Sequence, residues 1–156
     1  MQQRIAAGLF ATLGFVSTAL AQAGPADPYD VVWETPSVDT DGTMPLGNGD
    51  IALNAWVDPA GALWFYIAKT DAWSENGQLL KVGRLRVTLD PPPAIEPFQQ
   101  ALRLRQGAMV VAMGEGDQAV EFRLWVDANA PVVHVSVDSA VDRRATASIE
   151  LWRTQP

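Results

Sequence analysis

The 156-residue sequence contains no cysteine and only one histidine, His134. Zinc sites in proteins are built from Cys, His and carboxylate ligands, so a zinc site of the usual types is not expected here. The absence of cysteine also excludes disulfides, and any folded domain must then depend on its hydrophobic core for stability. The sequence has no P-loop and no Gly-x-Ser-x-Gly motif. We therefore predict no metal and no cofactor.

Basic residues are scarce, with 11 Lys and Arg against 18 Asp and Glu, and the formal net charge is −7. Loss of Arg4 with the N-terminal segment described next would change the charge from −7 to −8. Binding to nucleic acid or to an anionic membrane requires a basic patch. The acidic balance therefore disfavours both partners.

The first 23 residues have the pattern of a secretory signal peptide. A basic start is followed by an apolar run over Ile5–Val16 and by small residues in an Ala-x-Ala arrangement that ends at Ala21 or Ala23. A membrane anchor is the alternative, but a bilayer span needs about 20 apolar residues. We predict a signal peptide over 1–23, a linker over 24–28, one domain over 29–156, and a secreted or periplasmic location.

Helical periodicity is also missing after the signal peptide, whereas short segments with alternating apolar residues are frequent. About eight such segments, separated by turn residues, predict an antiparallel β-sandwich without substantial helix. The polar turn Asp58–Gly61 predicts a hairpin with a three-residue loop and a bulge. This register places Val57 opposite Leu63 and Trp56 opposite Trp64.

The face that carries these tryptophans has two interpretations. It could be a platform on which sugars stack, or it could pack against another layer of the protein, which is the more frequent case. A second hairpin is predicted at Gly114–Asp117, with Met109 opposite Phe122 and Val111 opposite Val120.

The richest polar cluster, Lys69–Gly77, is read as a loop after the hairpin. It combines carboxylates, a hydroxyl, an amide and an indole, which are the groups that hold a sugar. Asp71 and Glu75 could form a glycosidase pair, although acids in a loop are more often solvated or cap a turn. Trp73 could stack on a sugar or fill a local core.

Three other features have structural interpretations that we favour over functional ones. The Asp39–Gly42 segment resembles a calcium loop only faintly, and a solvated turn is the favoured interpretation. Asn48, Gly49 and Asp50 predict a turn that starts a strand, with glycines at positive φ or in close backbone contact. His134 is expected to point outward as an ordinary surface or inter-sheet residue.

The segments 44–51 (Met-Pro-Leu-Gly-Asn-Gly-Asp-Ile), 64–77 and 81–87 carry a family resemblance. They resemble the N-terminal domain of secreted bacterial proteins with the domain of unknown function DUF5703. More distantly, they are similar to the N-terminal β-domain of family 95 glycoside hydrolases, the α-L-fucosidase family. The resemblance implies a β-supersandwich followed by a helical (α/α)6 barrel that supplies the catalytic acid and base.

The sequence departs from this pattern because no helical region follows, so the resemblance supplies no catalytic residue and implies an incomplete sandwich that is inactive alone. It implies substrate-binding neighbours on the loop that would approach a barrel: Asp71, Trp73, Ser74 and Asn76. The expected partners are a carbohydrate and a helical catalytic domain that this sequence lacks. The alternatives are a stand-alone carbohydrate-binding module and a structural exported β-protein.

Overall fold

The computed structural model describes residues 27–150. The predicted signal peptide, residues 24–26 of the linker and Leu151 of the last predicted strand lie outside the described residues. The described chain forms ten strands in two five-stranded antiparallel sheets, with three short 3-10 turns. This architecture confirms the predicted all-β antiparallel sandwich. Among residues 27–150 no helix is long and apolar enough to cross a membrane.

The strands follow one another with short connections. They are β1 (Val31–Trp33), β2 (Met44–Gly47), β3 (Ile51–Val57), β4 (Leu63–Trp73), β5 (Leu79–Asp90), β6 (Phe98–Arg103), β7 (Ala108–Met113), β8 (Val120–Val126), β9 (Val133–Ser139) and β10 (Arg144–Glu150). The strand order is β1-β6-β7-β8-β9 in sheet A and β10-β5-β4-β3-β2 in sheet B. Strands β9 and β10 are therefore edge strands of different sheets.

The central hairpin has the predicted register. Val57 pairs with Leu63 and Trp56 pairs with Trp64. The loop closes with a 3.0 Å hydrogen bond from the Asp58 N–H to the Ala62 carbonyl, and Gly61 takes the left-handed conformation at φ 78°. The alternation of apolar residues identified this register because a shift by one residue would turn the buried face outward.

The predicted register of the β7–β8 hairpin is wrong by two residues. Met109 pairs with Leu124 instead of Phe122, and Val111 pairs with Phe122 instead of Val120. A 3-10 turn over Gly116–Gln118 lengthens the connection beyond the predicted four-residue turn. Because side chains alternate with a period of two, the shift leaves the same apolar residues on the buried face.

Three strand segments were not predicted, and one of them lies within Lys69–Gly77, which was predicted as a loop. Met44–Gly47 is β2 and pairs with β3, β6 begins already at Phe98, and β4 continues through the polar residues to Trp73. Strand preference depends more on pairing and burial than on the residue itself. Here β5 supplies the pairing for β4 up to Trp73, with an irregular register between Ala68 and Trp73.

The hydrophobic core lies between the two sheets. Its fully buried side chains come from both layers, for example Leu63 and Phe65 from sheet B with Met109 and Phe122 from sheet A. Burying each such side chain contributes about 1.5–3 kcal/mol. The layers separate toward β9 and β10, where a groove of about 280 Å³ remains. Its lining is apolar: Phe65, Ile67, Leu85, Val87, Val133, Val135, Val137, Ala145 and Ala147.

Candidate functional site

Three connections meet at one end of the sandwich. They are the β2–β3 turn, the end of β4 and the β8–β9 loop. Thr70 donates its N–H to the Asp50 carbonyl at 3.0 Å, which ties β4 to the β2–β3 turn. The side chain of Asn48 donates to the carbonyls of Asp127 at 2.8 Å and Ala130 at 3.1 Å. This side chain joins sheet B to a loop of sheet A.

The Asn48–Asp50 segment is a structural turn, as predicted. Asn48 Oδ1 accepts hydrogen bonds from the N–H groups of Asp50 and Ile51, each at 2.9 Å. Gly49 has φ +94°, a conformation that L side chains rarely adopt. A Cβ on Gly47 would lie 2.8 Å from the Ile51 carbonyl oxygen, so this glycine is required for close backbone contact.

Lys69 connects two carboxylates at this end. Its Nζ lies 3.1 Å from Asp50 Oδ1 and 2.8 Å from Asp71 Oδ2. The hydroxyl of Thr70 also donates to Asp50 Oδ1, at 3.0 Å. Hydrogen bonds from Lys69 and then Thr70 lower the pKa of Asp50 below its usual value. Hydrogen bonds to Asp71 and then Asp50 raise the pKa of Lys69. The group, one cation between two carboxylates, forms a charged clasp at the base of the β4–β5 hairpin.

Trp73 is exposed rather than buried, so its interpretation as a local core plug is wrong. Its relative exposure is 58%, and its Nε1–H donates to the Thr70 carbonyl at 2.6 Å. This bond orients the indole while leaving most of the ring in solvent. An exposed, oriented indole is a surface that can contact a sugar or another protein.

The other predicted site residues lie at the tip of the same hairpin. Ser74 donates its N–H to the Gln78 carbonyl at 2.8 Å, and its Oγ accepts from the Gln78 N–H at 3.0 Å. Asn76 and Glu75 are exposed. Asp71 is also exposed, and the interpretation of Asp71 and Glu75 as a glycosidase pair stays a prediction.

Residues 70–82 form a ribbon that extends beyond the rest of sheet B. The last residue of β4 paired with β3 is Lys69, whereas the pairing of β4 with β5 reaches Trp73 opposite Leu79. Leu79 and Val82 are exposed, as is Trp73. We call residues 70–82 the ribbon. It carries large apolar side chains into solvent, which is typical of a surface that contacts another molecule.

The tryptophans on the outer face of sheet B are packed rather than free. Trp56 stacks on Trp64 with ring centroids 6.1 Å apart and an interplanar angle of 11°. The guanidinium groups of Arg84 and Arg86 lie 4.6 Å and 4.9 Å from the Trp64 ring centroid. The expected second layer is therefore replaced by long cationic side chains from β5. This arrangement favours packing over a sugar platform for Trp56 and Trp64.

Several charged and aromatic contacts were not predicted from the sequence. His134 points outward as expected, but it stacks on Trp125 with centroids 4.8 Å apart, and its Nε2 lies 3.5 Å from Asp127 Oδ2. Backbone hydrogen bonding from Asn129, and then the contact with His134, lower the pKa of Asp127. The contact between Asp50 and Lys69 could have been inferred from the β3–β4 register, because that register pairs Lys69 with Ile51, the residue after Asp50.

The weak calcium resemblance corresponds to a capped turn. The Asp39 side chain accepts a 2.9 Å hydrogen bond from the Asp41 N–H at the start of a 3-10 turn. Within residues 27–150 no three His, Asp or Glu side chains cluster closely enough to hold a metal ion. The turn interpretation therefore fits the geometry.

Together, the fold and this end of the molecule define a two-sheet, all-β sandwich protein with an exposed ribbon that is anchored by a charged clasp. The chain belongs to the family DUF5703_N, a domain of unknown function, whose model matches residues 32–156. The resemblance to DUF5703 is therefore confirmed. A comparison with curated proteins found no match.

Proposed function

We propose that this chain is the β-sandwich domain of an exported, glycoside-hydrolase-like protein that acts on carbohydrate, and that it is inactive alone. The observation that carries the proposal is the ribbon, which holds Trp73 and Leu79 in solvent at the end of the sandwich. A ribbon of this kind is suited to contact a separate catalytic body. The resemblance to the N-terminal β-domain of family 95 glycoside hydrolases supplies the helical barrel as that body.

In this proposal the ribbon borders a sugar site that the barrel completes. The exposed indole of Trp73 offers an apolar face to a sugar ring, while Asp71, Ser74 and Asn76 offer hydrogen-bonding groups for hydroxyls. Asp71 is held by Lys69, which limits its motion. None of these residues acts as the catalytic acid or base, because the barrel supplies both.

The first experiment measures hydrolysis of aryl fucosides and aryl galactosides by the purified chain. We expect no hydrolysis above the buffer rate. Hydrolysis that is lost in Asp71→Asn but kept in Asp117→Asn, a matched change at the far end of the sandwich, would contradict the proposal.

The second experiment uses a longer member of the family that continues into a helical region. Replacing the residue that aligns with Trp73 by alanine should reduce hydrolysis about tenfold or more, the effect of losing one stacking contact in the transition state. Replacing the residue that aligns with Trp125 is the control. Equal activity in the Trp73-position variant and the parent would show that the ribbon does not contribute to the sugar site.

The exposed indole also favours a second candidate, a stand-alone carbohydrate-binding module that binds through Trp73. Calorimetry against polysaccharides separates the two, because a module binds and a domain that lacks its catalytic body does not. Binding that disappears in Trp73→Ala and persists in Trp125→Ala would establish the module and overturn the first proposal.

A further inference from the structure

Strand β10 presents an unprotected edge of sheet B. One side of the strand pairs with β5, with Ala147 opposite Val87, and the other side has no neighbour among the described residues. Six of its seven residues are exposed. Protein sheets normally protect such edges with proline, lysine or a bulge, and β10 contains none of these. An edge of this kind is suited to pair with another strand.

The sequence of β10 is complementary to itself in the antiparallel direction. When two copies of Arg144–Glu150 are aligned on Ala147, Arg144 of each copy lies opposite Glu150 of the other. Thr146 then lies opposite Ser148, and Ala145 lies opposite Ile149. This alignment uses all seven residues and places the only two charges of the strand in opposite-charge pairs. Opposite-charge cross-strand pairs stabilise a sheet and like-charge pairs destabilise it.

The side chains of Arg144 and Glu150, at the two ends of β10, are available for this pairing. The backbone of Arg144 pairs with Asp90 of β5, whereas its side chain makes no hydrogen bond or ion pair within the described chain. Arg84 uses both Nε and Nη2 to bind Glu150 Oε2, and Glu150 Oε1 has no partner among residues 27–150, so it can accept from a second arginine. Glu150 can therefore lie between Arg84 of its own copy and Arg144 of another.

The apolar face of β10 also requires a neighbour. Ile149 is 68% exposed although it pairs with Leu85 on the face that lines the core. The groove opens at this side of the molecule, and its floor includes Ala145 and Ala147. Pairing through β10 would bring the open sides of two grooves toward each other and would extend the apolar floor across both copies.

We propose that two copies of this chain associate through antiparallel pairing of β10, centred on Ala147. The two sheets B join into one ten-stranded sheet, and the interface is closed by two-fold symmetry. This inference is independent of the proposed carbohydrate function, because the ribbon takes no part in it.

The test measures the mass of the purified chain in solution by sedimentation equilibrium over a range of concentrations. The wild type should be a dimer. Arg144→Glu places two glutamates opposite each other at both ends of the interface and should raise the dissociation constant about tenfold or more. Glu150→Lys should do the same through opposed cations. Arg123→Glu, which makes the same charge change on the outer face of sheet A, should leave the dimer intact.

Mixing the two variants gives the decisive measurement. A copy with Arg144→Glu and a copy with Glu150→Lys present opposite charges at both ends, so the mixture should form a heterodimer at concentrations at which each variant alone is monomeric. Urea melts of each variant check that it remains folded. A monomeric wild type, a dimer that is indifferent to Arg144→Glu, open-ended oligomers, or a mixture that stays monomeric would each overturn the proposal.

Discussion

At the scale of single residues, the side chain of Asn48 joins its own turn to the β8–β9 loop of the other sheet. Its amide accepts two backbone hydrogen bonds within its own turn and donates two to the β8–β9 loop. All four bonds depend on one side chain. Asn48 therefore fixes the turn and the relative position of the two sheets at the same time.

Replacing Asn48 by alanine should lower the free energy of unfolding by roughly 3 kcal/mol, because four partly buried hydrogen bonds are lost at about 0.5–1.5 kcal/mol each. Urea denaturation measures the change. Asn129→Ala is the matched control, since Asn129 takes part only through its backbone N–H. A loss below about 1 kcal/mol for Asn48→Ala would mean that water replaces these bonds at little cost.

The Lys69 clasp predicts that the unfolding free energy decreases both in acid and in alkali. The pKa of Asp50 is lowered from 3.8 in the folded chain, so its contribution to stability is present above 3.8 and is lost as pH falls through the folded pKa. The pKa of Lys69 is raised from 10.5, so its contribution is present below 10.5 and is lost as pH rises through the folded pKa.

The variant Lys69→Met should therefore be destabilised most at neutral pH. Its difference from the wild type in unfolding free energy should shrink in acid and in strong alkali, as urea melts across the pH range can measure. Lys81→Met is the control, because it removes the same charge from a side chain that lies over the Tyr66 ring. Its unfolding free energy should fall in acid as steeply as that of the wild type. A constant difference at all pH values would exclude the clasp as its cause.

At the scale of elements, two glycines in hairpin turns allow the cost of backbone strain to be measured separately from the cost of a steric clash. Gly61 and Gly77 both have positive φ, at 78° and 72°. A Cβ on Gly61 would lie 2.7 Å from Pro93 Cγ, whereas a Cβ on Gly77 would meet nothing within 4 Å. The two positions therefore differ in space but not in backbone conformation.

Gly77→Ala should cost about 1–2 kcal/mol for the left-handed conformation alone. Gly61→Ala should cost roughly 2–4 kcal/mol, because the clash with Pro93 is added to the same strain. Chemical denaturation of both variants measures the difference. Equal losses would show that Pro93 moves aside without cost.

The elements also show where sequence reasoning reached its limit. Alternation identified the β3–β4 register because the two faces of that hairpin differ strongly, and the segments 44–51, 64–77 and 81–87 together identified the family. Alternation could not separate two β7–β8 registers that bury the same residues. It also missed β2 and the polar end of β4, since pairing with neighbours made those segments strands.

For the site, the sequence located the ribbon but not its anchor. Trp73 and Ser74 were named from the polar cluster and from what the family resemblance implies, whereas the clasp depends on Asp50, which lies 19 residues before Lys69. The contact of His134 with Asp127 and Trp125 also requires the fold of the β8–β9 hairpin. Such contacts follow from register, so they become predictable only once strand pairing is known.

At the scale of the whole molecule, the core is closed on one side and open on the other. Val111 of sheet A is fully buried, whereas Val135 lines the groove and is only partly buried. Val111→Ala should lower the unfolding free energy by about 2 kcal/mol, and Val135→Ala by about 1 kcal/mol, because the groove already lacks part of its packing. Urea melts at low protein concentration compare the two. A larger loss for Val135→Ala would indicate that the groove is filled in solution.

The order of the strands along the chain has a consequence for biosynthesis. Four of the five strands of sheet B, β2 to β5, lie within residues 44–90. Of the strands of sheet A that cover their apolar face, only the three-residue β1 precedes them, and β6 to β9 follow from Phe98 onward. Asn48 likewise meets its partner carbonyl 82 residues later. We therefore expect a fragment that ends at Asp90 to carry β2 to β5 with most of their apolar face uncovered, and to bind a chaperone that the full chain does not. If that fragment stays monomeric and does not bind the chaperone, sheet B does not form before sheet A is present to cover it.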